Sequence, residues 1–260
     1  MTQLDVRPIP AFQDNYIWLI RGLTDPRAAT VVDPGTADPV LQALASDDLH
    51  LAAILVTHHH PDHVGGVREL AAVTGAAVFG PRHERLPFDC TATGGGERVT
   101  PAATGLDFAV FDVPGHTAGH IAYYGHGALF PGDTLFSAGC GRLFEGTAEQ
   151  MLASLDTLAA LPDSTRVFPA HEYTLANLRF ALAADPDNAE LAGQTRQAAA
   201  EREAGRPTLP TTIGTEKRIN PFLRCRSAGI RRSAEQHAGQ PLPAAAGVFA
   251  TIRGWKDGFR

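Results

Sequence analysis

Thr57-His58-His59-His60-Pro61-Asp62-His63-Val64-Gly65-Gly66 gathers four histidines and one aspartate into the six positions from His58 to His63. The run before it, Ala52-Ala53-Ile54-Leu55-Val56, is short, apolar and of strand type. The run after it, residues 67–73, reads as a helix that ends at Gly75. The cluster therefore lies on a strand-to-helix turn. Such turns aim side chains into a crevice at the carboxyl end of a sheet.

The spacing has a chemical meaning. Residues two apart in an extended segment point to the same side, so His58 and His60 can grip one cation together. Asp62 and His63 lie at the entry to the helix, face elsewhere, and can begin a second site beside the first. His59 points away from its neighbours, which suits it to supporting a ligand rather than being one. Imidazole and carboxylate together suit zinc, iron or manganese. A histidine-rich surface loop is the plain alternative, but so many imidazoles beside a carboxylate have no structural purpose without a cation.

Composition sets the bounds. The 260 residues suffice for one large domain, or one domain with a small appendage. An apolar fraction of 44% with 19% charged residues fits a soluble globular protein. A formal net charge of −6 argues against a nucleic-acid partner. Cys90, Cys140 and Cys225 are odd in number and match no zinc-finger spacing, which points to a reducing compartment. Residues 1–12 lack a signal pattern and no apolar run reaches membrane-spanning length. The expectation is a cytoplasmic monomer with no membrane partner.

Strands are expected at 4–10, 16–21, 29–32, 52–56, 76–80, 108–113, 121–124, 128–130 and 166–168. A helix starts with Asp38 as N-cap and Pro39 in its first turn. Residues 91–98 are glycine-rich and read as loop. Further helices are expected at 148–160, 175–184, 189–204, 227–238 and 244–259, with Asp187 and Glu190 forming a capping-box-like start at 189. Four β-rich segments end in loops bearing His or Asp: at His58 to His63, His116, Asp133 and His171. Ligands drawn from distant strand ends suit a site on the rim of a sheet sandwich. Beyond Tyr173 the pattern turns helical, which sets the expected domains at 1–173 and 174–260.

Thr-His-x-His-x-Asp-His-x-Gly-Gly resembles the signature of the metallo-β-lactamase superfamily of metal-dependent hydrolases. The resemblance implies an α+β fold, an αββα sandwich of two mixed sheets with helices outside, followed here by a smaller C-terminal α-helical domain. It also implies two divalent metal ions per chain, zinc first, with iron or manganese as alternatives. Carried over position by position, His58, His60 and His116 hold the first ion, and Asp62, His63 and His171 the second. Asp133 bridges both, and Asp62 and Asp133 serve catalysis with a bridging hydroxide. Asp33 resembles the family's aspartate that orients a ligand from behind, with a simple turn aspartate as the alternative. His120, four residues after His116, is expected to pack or hydrogen-bond rather than ligate.

Four further stretches choose within the superfamily: 130–147, 171–174, 216–224 and 253–259. Together they resemble glyoxalase II, the hydroxyacylglutathione hydrolases, over nearly the whole chain. The resemblance implies hydrolysis of S-D-lactoylglutathione to glutathione and D-lactate, the second step of methylglyoxal detoxification. Arg142, Phe144, Tyr173, Arg253 and Lys256 match that family's glutathione contacts. Cationic side chains suit the two carboxylates of glutathione, and Arg253 and Lys256, three apart on a helix, share a face. Arg142 stands where some relatives carry Lys. Phe144 stands where some carry Tyr, so it contacts only through backbone or packing. The rival readings are a one-iron persulfide dioxygenase, which generally lacks the long helical C-terminal domain, and a non-catalytic glutathione-conjugate module, against which the complete ligand set speaks. A β-lactamase is a third, for which the helical extension has no purpose.

Overall fold

The computed structural model describes residues 3–259. They fall into two compact units. The first runs to Asp112 and takes in Ala118–Gly132; the second is Val113–Thr117 with the chain from Asp133 onward. This division differs from the expected spans 1–173 and 174–260, whose outer ends, residues 1 and 260, lie outside the described residues.

In the first unit, β1 (Val6–Ala11), β2 (Asn15–Arg21), β3 (Ala28–Val32), β4 (His50–Leu55), β5 (Ala77–Pro81) and β6 (Thr91–Thr93) form one sheet in sequence order. β1 to β3 pair antiparallel, and β3 to β6 parallel. Parallel neighbours need crossovers, and α1 (Asp38–Ser46), α2 (Pro61–Val64) and α3 (Val67–Thr74) lie in them. Ile17, Leu19, Val31 and Ile54 pack with Val40, Leu44, Val67 and Leu70 of the helices. Trp18, Ile20, Val32 and Leu55, which alternate with them, are buried as well, so both faces of the sheet are covered. β7 (Arg98–Val99), β8 (Phe108–Asp112), β9 (Ile121–Gly125) and β10 (Ala128–Phe130) form an antiparallel ribbon. Tyr123 of β9 ties it to the first sheet, its hydroxyl donating to the Val56 carbonyl at 2.9 Å.

In the second unit, β11 (Leu135–Phe136) and β12 (Gly139–Cys140) make a tight hairpin. α4 (Ala148–Ala159), β13 (Arg166–Val167), α5 (Thr174–Ala184), α6 (Ala189–Glu203), β14 (Thr211–Thr212), α7 (Ile213–Ile219), α8 (Ala228–Ala238) and α9 (Ala245–Gly258) follow, with β13 and β14 antiparallel. Ala138 of the hairpin turn packs with Leu178, Ala181, Leu191, Ala198 and Ile219 from α5, α6 and α7. Phe180 gathers Phe222, Trp255 and Phe259 around its ring. Among the described residues, no helix is long and apolar enough to cross a membrane.

Local expectations differ from the structure in three places. Residues 91–98, read as loop, contain β6 and the start of β7, because pairing to β5 and β8 outweighs their weak strand preference. α1 is preceded by Ala37, not capped by Asp38; Asp38 is the first helical residue, where its charge favours the helix dipole. At α6 the cap is Asn188, whose side chain accepts the Glu190 N–H, rather than Asp187.

Tyr123→Phe leaves the Val56 carbonyl a buried acceptor without its best donor. The expected cost is about 1–3 kcal/mol, read as an earlier urea midpoint with unchanged circular dichroism.

Candidate metal centre

β4 carries the chain to Thr57, whose carbonyl accepts from Ile121 N–H at 3.0 Å. Beyond it, His58 Nε2 and His60 Nδ1 converge to 3.0 Å. His60 is extended and Pro61 opens α2, with its φ preset for a helix. The chain thereby turns, and Asp62 Oδ2 comes to 3.5 Å from His63 Nε2. Asn15 Nδ2 donates to the same Asp62 oxygen at 3.0 Å. The turn is backed by Gly35 and Gly65: a Cβ on Gly35 would strike the Asp62 carbonyl, and one on Gly65 the Gly35 carbonyl.

Asp33 sits behind these ligands. Its backbone is left-handed, φ 51°, a conformation aspartate tolerates. Oδ1 accepts the Thr57 N–H at 2.8 Å; Oδ2 accepts the Thr57 hydroxyl at 2.7 Å and faces His63 Nδ1 at 3.0 Å. A carboxylate on Nδ1 keeps that nitrogen protonated and leaves Nε2 as the ligating atom. Ligand atoms of Asp33, His58 and His63 lie within 4.8 Å of one another. His59 faces the other way, its N–H and Nδ1 both meeting the Glu84 carboxylate, with its ring against that of His60. His120 stacks on the His58 ring at 4.5 Å, packing as its sequence position suggests.

The second unit brings together His116, Asp133 and His171. Asp133 Oδ2 is 3.4 Å from His116 Nε2, and Oδ1 is 3.5 Å from His171 Nε2. Each carboxylate oxygen thus serves a different imidazole. His116 Nδ1 donates to the Arg142 carbonyl at 2.9 Å, which again reserves Nε2. His171 stacks on Tyr173 at 4.7 Å, and Phe144, 62% exposed, meets the His116 ring edge-on at 5.2 Å.

Two ligands of one tetrahedral zinc, each at 2.0–2.1 Å, stand about 3.4 Å apart. The pairs above, at 3.0 to 3.5 Å, fit a divalent cation. The donor set of imidazoles and carboxylates agrees.

The five expected substrate contacts all fall in the second unit, but not alike. Arg142 is exposed, its Nε 3.6 Å from Asp257 Oδ1. Arg253 is buried: Nη1 donates to the Cys140 carbonyl at 2.8 Å, Nη2 to Asp257 at 3.0 Å, and the guanidinium lies over Phe222. Lys256 Nζ lies 5.3 Å above the Phe180 ring, and burial, then repulsion from Arg253, pushes its ammonium down to about 8. The Cys140 thiol, by contrast, is pushed up to about 11 by burial, which leaves no thiolate nucleophile. Asn15, Glu84 and Asp257 are the functional neighbours that sequence reasoning misses. Asp257 had a usable signal, its i,i+4 spacing from Arg253; Asn15 and Glu84 act on residues far along the chain and had none.

A family model described as "Metallo-beta-lactamase superfamily" matches residues 12–171, and one described as "Hydroxyacylglutathione hydrolase C-terminus" matches 172–259. The hydroxyacylglutathione hydrolase of Albidiferax ferrireducens is 54% identical, over 97% of this chain and 98% of its own. The chain belongs to the hydroxyacylglutathione hydrolase family. ETHE1 from Myxococcus xanthus has the same fold, with TM-score 0.65 and 27% identity over 98% of both chains. TTHA1623 in a di-iron-bound form follows, with TM-score 0.58 and 26% identity over 84% of this chain and 98% of that one. The fold of this hydroxyacylglutathione hydrolase family member is the expected α+β metallo-β-lactamase fold with a helical C-terminal region.

Asp33→Asn removes the carboxylate from His63 Nδ1 and from Thr57. Metal affinity is expected to fall about 10–100-fold, as for other partners that orient a ligand. Competition with a chromogenic chelator reads this directly, with circular dichroism unchanged.

Proposed function

We propose that this chain hydrolyses S-D-lactoylglutathione to glutathione and D-lactate with two divalent ions, zinc first among the candidates. His58, His60 and His116 would hold one ion, Asp62, His63 and His171 the other, and Asp133 would be shared by both. One observation carries the reading: Asp133 lies between two histidines, with one oxygen toward each, where a carboxylate could serve two cations. The similar structure of TTHA1623, in a di-iron-bound form, supports a pair of ions. The family membership supports a glutathione thioester as substrate.

Held by these residues, divalent ions would supply an activated water near neutral pH and positive charge for the thioester oxygen. The chain's own residues do the rest. Asp33 and the Arg142 carbonyl fix the tautomers of His63 and His116, so that both present Nε2. Arg142 and Lys256 provide the positive charge for the glutathione carboxylates. Phe144 and Tyr173 offer ring faces beside His116 and His171. Arg253, tied to Cys140 and Asp257, supports this surface more than it presents charge to the substrate. In this reading 1–173 is the catalytic domain, and 174–260 helps to bind the glutathione part of the substrate together with Arg142, Phe144 and Tyr173.

The test is loss of the thioester absorbance of S-D-lactoylglutathione, with a chelated control. Rapid loss that chelation abolishes is expected. Asp133→Ala should cut turnover by more than about a hundredfold, beyond the range of an outer partner. Oxygen uptake with glutathione persulfide, in place of thioester loss, would overturn the assignment.

Lys256 gives a pH signature. Its ammonium is charged below about 8 and neutral above. KM for the anionic substrate is therefore expected to rise as pH climbs through that value, with kcat little changed. Lys256→Arg keeps the charge at all these pH values and should abolish the rise. A KM flat across that range in the unmodified protein removes Lys256 from the contact set.

A further inference from the structure

The β11–β12 hairpin touches every metal-ligand candidate of the second unit. Asp133 leads into it. Gly141 leads out, its N–H 3.4 Å from the Thr134 carbonyl, and it packs so closely on the Asp133 carbonyl and the His116 imidazole that no Cβ fits. Arg142, next in the chain, holds His116 Nδ1. Phe136 sets its ring edge-on to His171. One short ribbon is the common template for three ligands.

Its turn is not self-sufficient. Ser137 and Ala138 alone join Phe136 to Gly139, and Ala138 is left-handed at φ 53°. That is an unfavourable conformation for a residue with a Cβ and no polar side chain. The turn's backbone groups are met by buried side chains of the helical region. Ala138 N–H donates to Glu216 Oε2 at 2.8 Å. Asn220 Nδ2 reaches the carbonyls of Phe136 at 3.1 Å and Gly139 at 2.9 Å, and Glu216 Oε2 at 2.9 Å. Asn177 Nδ2 donates to the Ser137 carbonyl at 2.9 Å. The Thr211 hydroxyl fills the other Glu216 oxygen at 2.8 Å. Glu216 and Asn220 are both fully buried. Burial pushes the Glu216 carboxyl up to about 7 against the pull of these donors. A buried carboxylate and amide are costly in a helical core, where apolar side chains would pack without desolvation loss. The thioester chemistry uses neither.

We propose that Glu216 and Asn220 are positioning residues for the metal centre: by holding the Ser137–Ala138 turn they set Asp133, His116 and His171 for the cations. The helical C-terminal region is then needed for metal retention, and not for substrate alone. This rests on the two-ion reading given above.

Asn220→Asp puts an acceptor of the same shape against two carbonyls and a carboxylate. Asn220→Ala removes the donors without adding charge. Glu216→Gln keeps an oxygen for Ala138 N–H and can donate to the Thr211 hydroxyl. For each full-length variant, zinc affinity is measured by chelator competition, thermal unfolding on the metal-free protein, and kcat and KM at saturating zinc. Both Asn220 variants are expected to bind zinc about tenfold more weakly, with kcat reduced and KM within about twofold, and Glu216→Gln to recover most of the affinity. Should Asn220→Asp fail to fold, Asn220→Ala carries the test. Lowered thermal stability with unchanged zinc affinity and kcat would reduce the pair to a structural role and overturn the proposal. Unmodified protein that takes up none of zinc, iron or manganese would instead overturn the two-ion reading, and the positioning role with it.

Discussion

Groups that accept hydrogen bonds do not crowd into a small buried space without something positive to share. That constraint governs both units. In the first, His58, His60, Asp62 and His63 turn their ligand atoms toward one another in pairs. In the second, Asp133 does so with His116 and His171. Several of these groups carry a further bond that fixes them. Asp33 takes His63 Nδ1, the Arg142 carbonyl takes His116 Nδ1, and Asn15 steadies Asp62. The strands bring these residues to their turns, and the bonds on Nδ1 leave Nε2 as the atom that His63 and His116 offer.

The metal loop was legible because its logic is local. Ten consecutive residues contain the ligands, the proline that starts the helix and the glycines that let it approach Gly35. Alternation gave His58 and His60 to one side, and the structure keeps them there. The strands of the first unit were legible for the same reason, since their apolar runs are continuous and bounded by turns. What failed was also local, but weak: residues 91–98 hold short paired strands in place of a loop, and the caps of α1 and α6 turned on one residue each.

Arg253 shows where pattern alone stops. The three-residue spacing to Lys256 placed both on one helix face, and both do lie over the stacked rings of Phe222 and Phe180. Spacing carries no information on depth, and Arg253 is 4% exposed, its donors turned to Cys140 and Asp257. The stretch 216–224 was likewise recognisable by resemblance, while its physical purpose was not. Glu216 and Asn220 serve a turn about eighty residues earlier, and no periodicity in a single sequence links such positions.

The division of the chain has a consequence for its modularity. The path passes into the second unit at Val113, returns at Ala118, and leaves the first for good after Gly132. Neither unit is one uninterrupted segment. A gene fragment ending at 173 would encode the first unit together with an incomplete second, and the remainder alone would lack the hairpin that its helices enclose. The helical region therefore could not be exchanged as a cassette at that point without its partner sequence upstream. Shuffling of this architecture would have to carry 113–117 and the chain from 133 onward together.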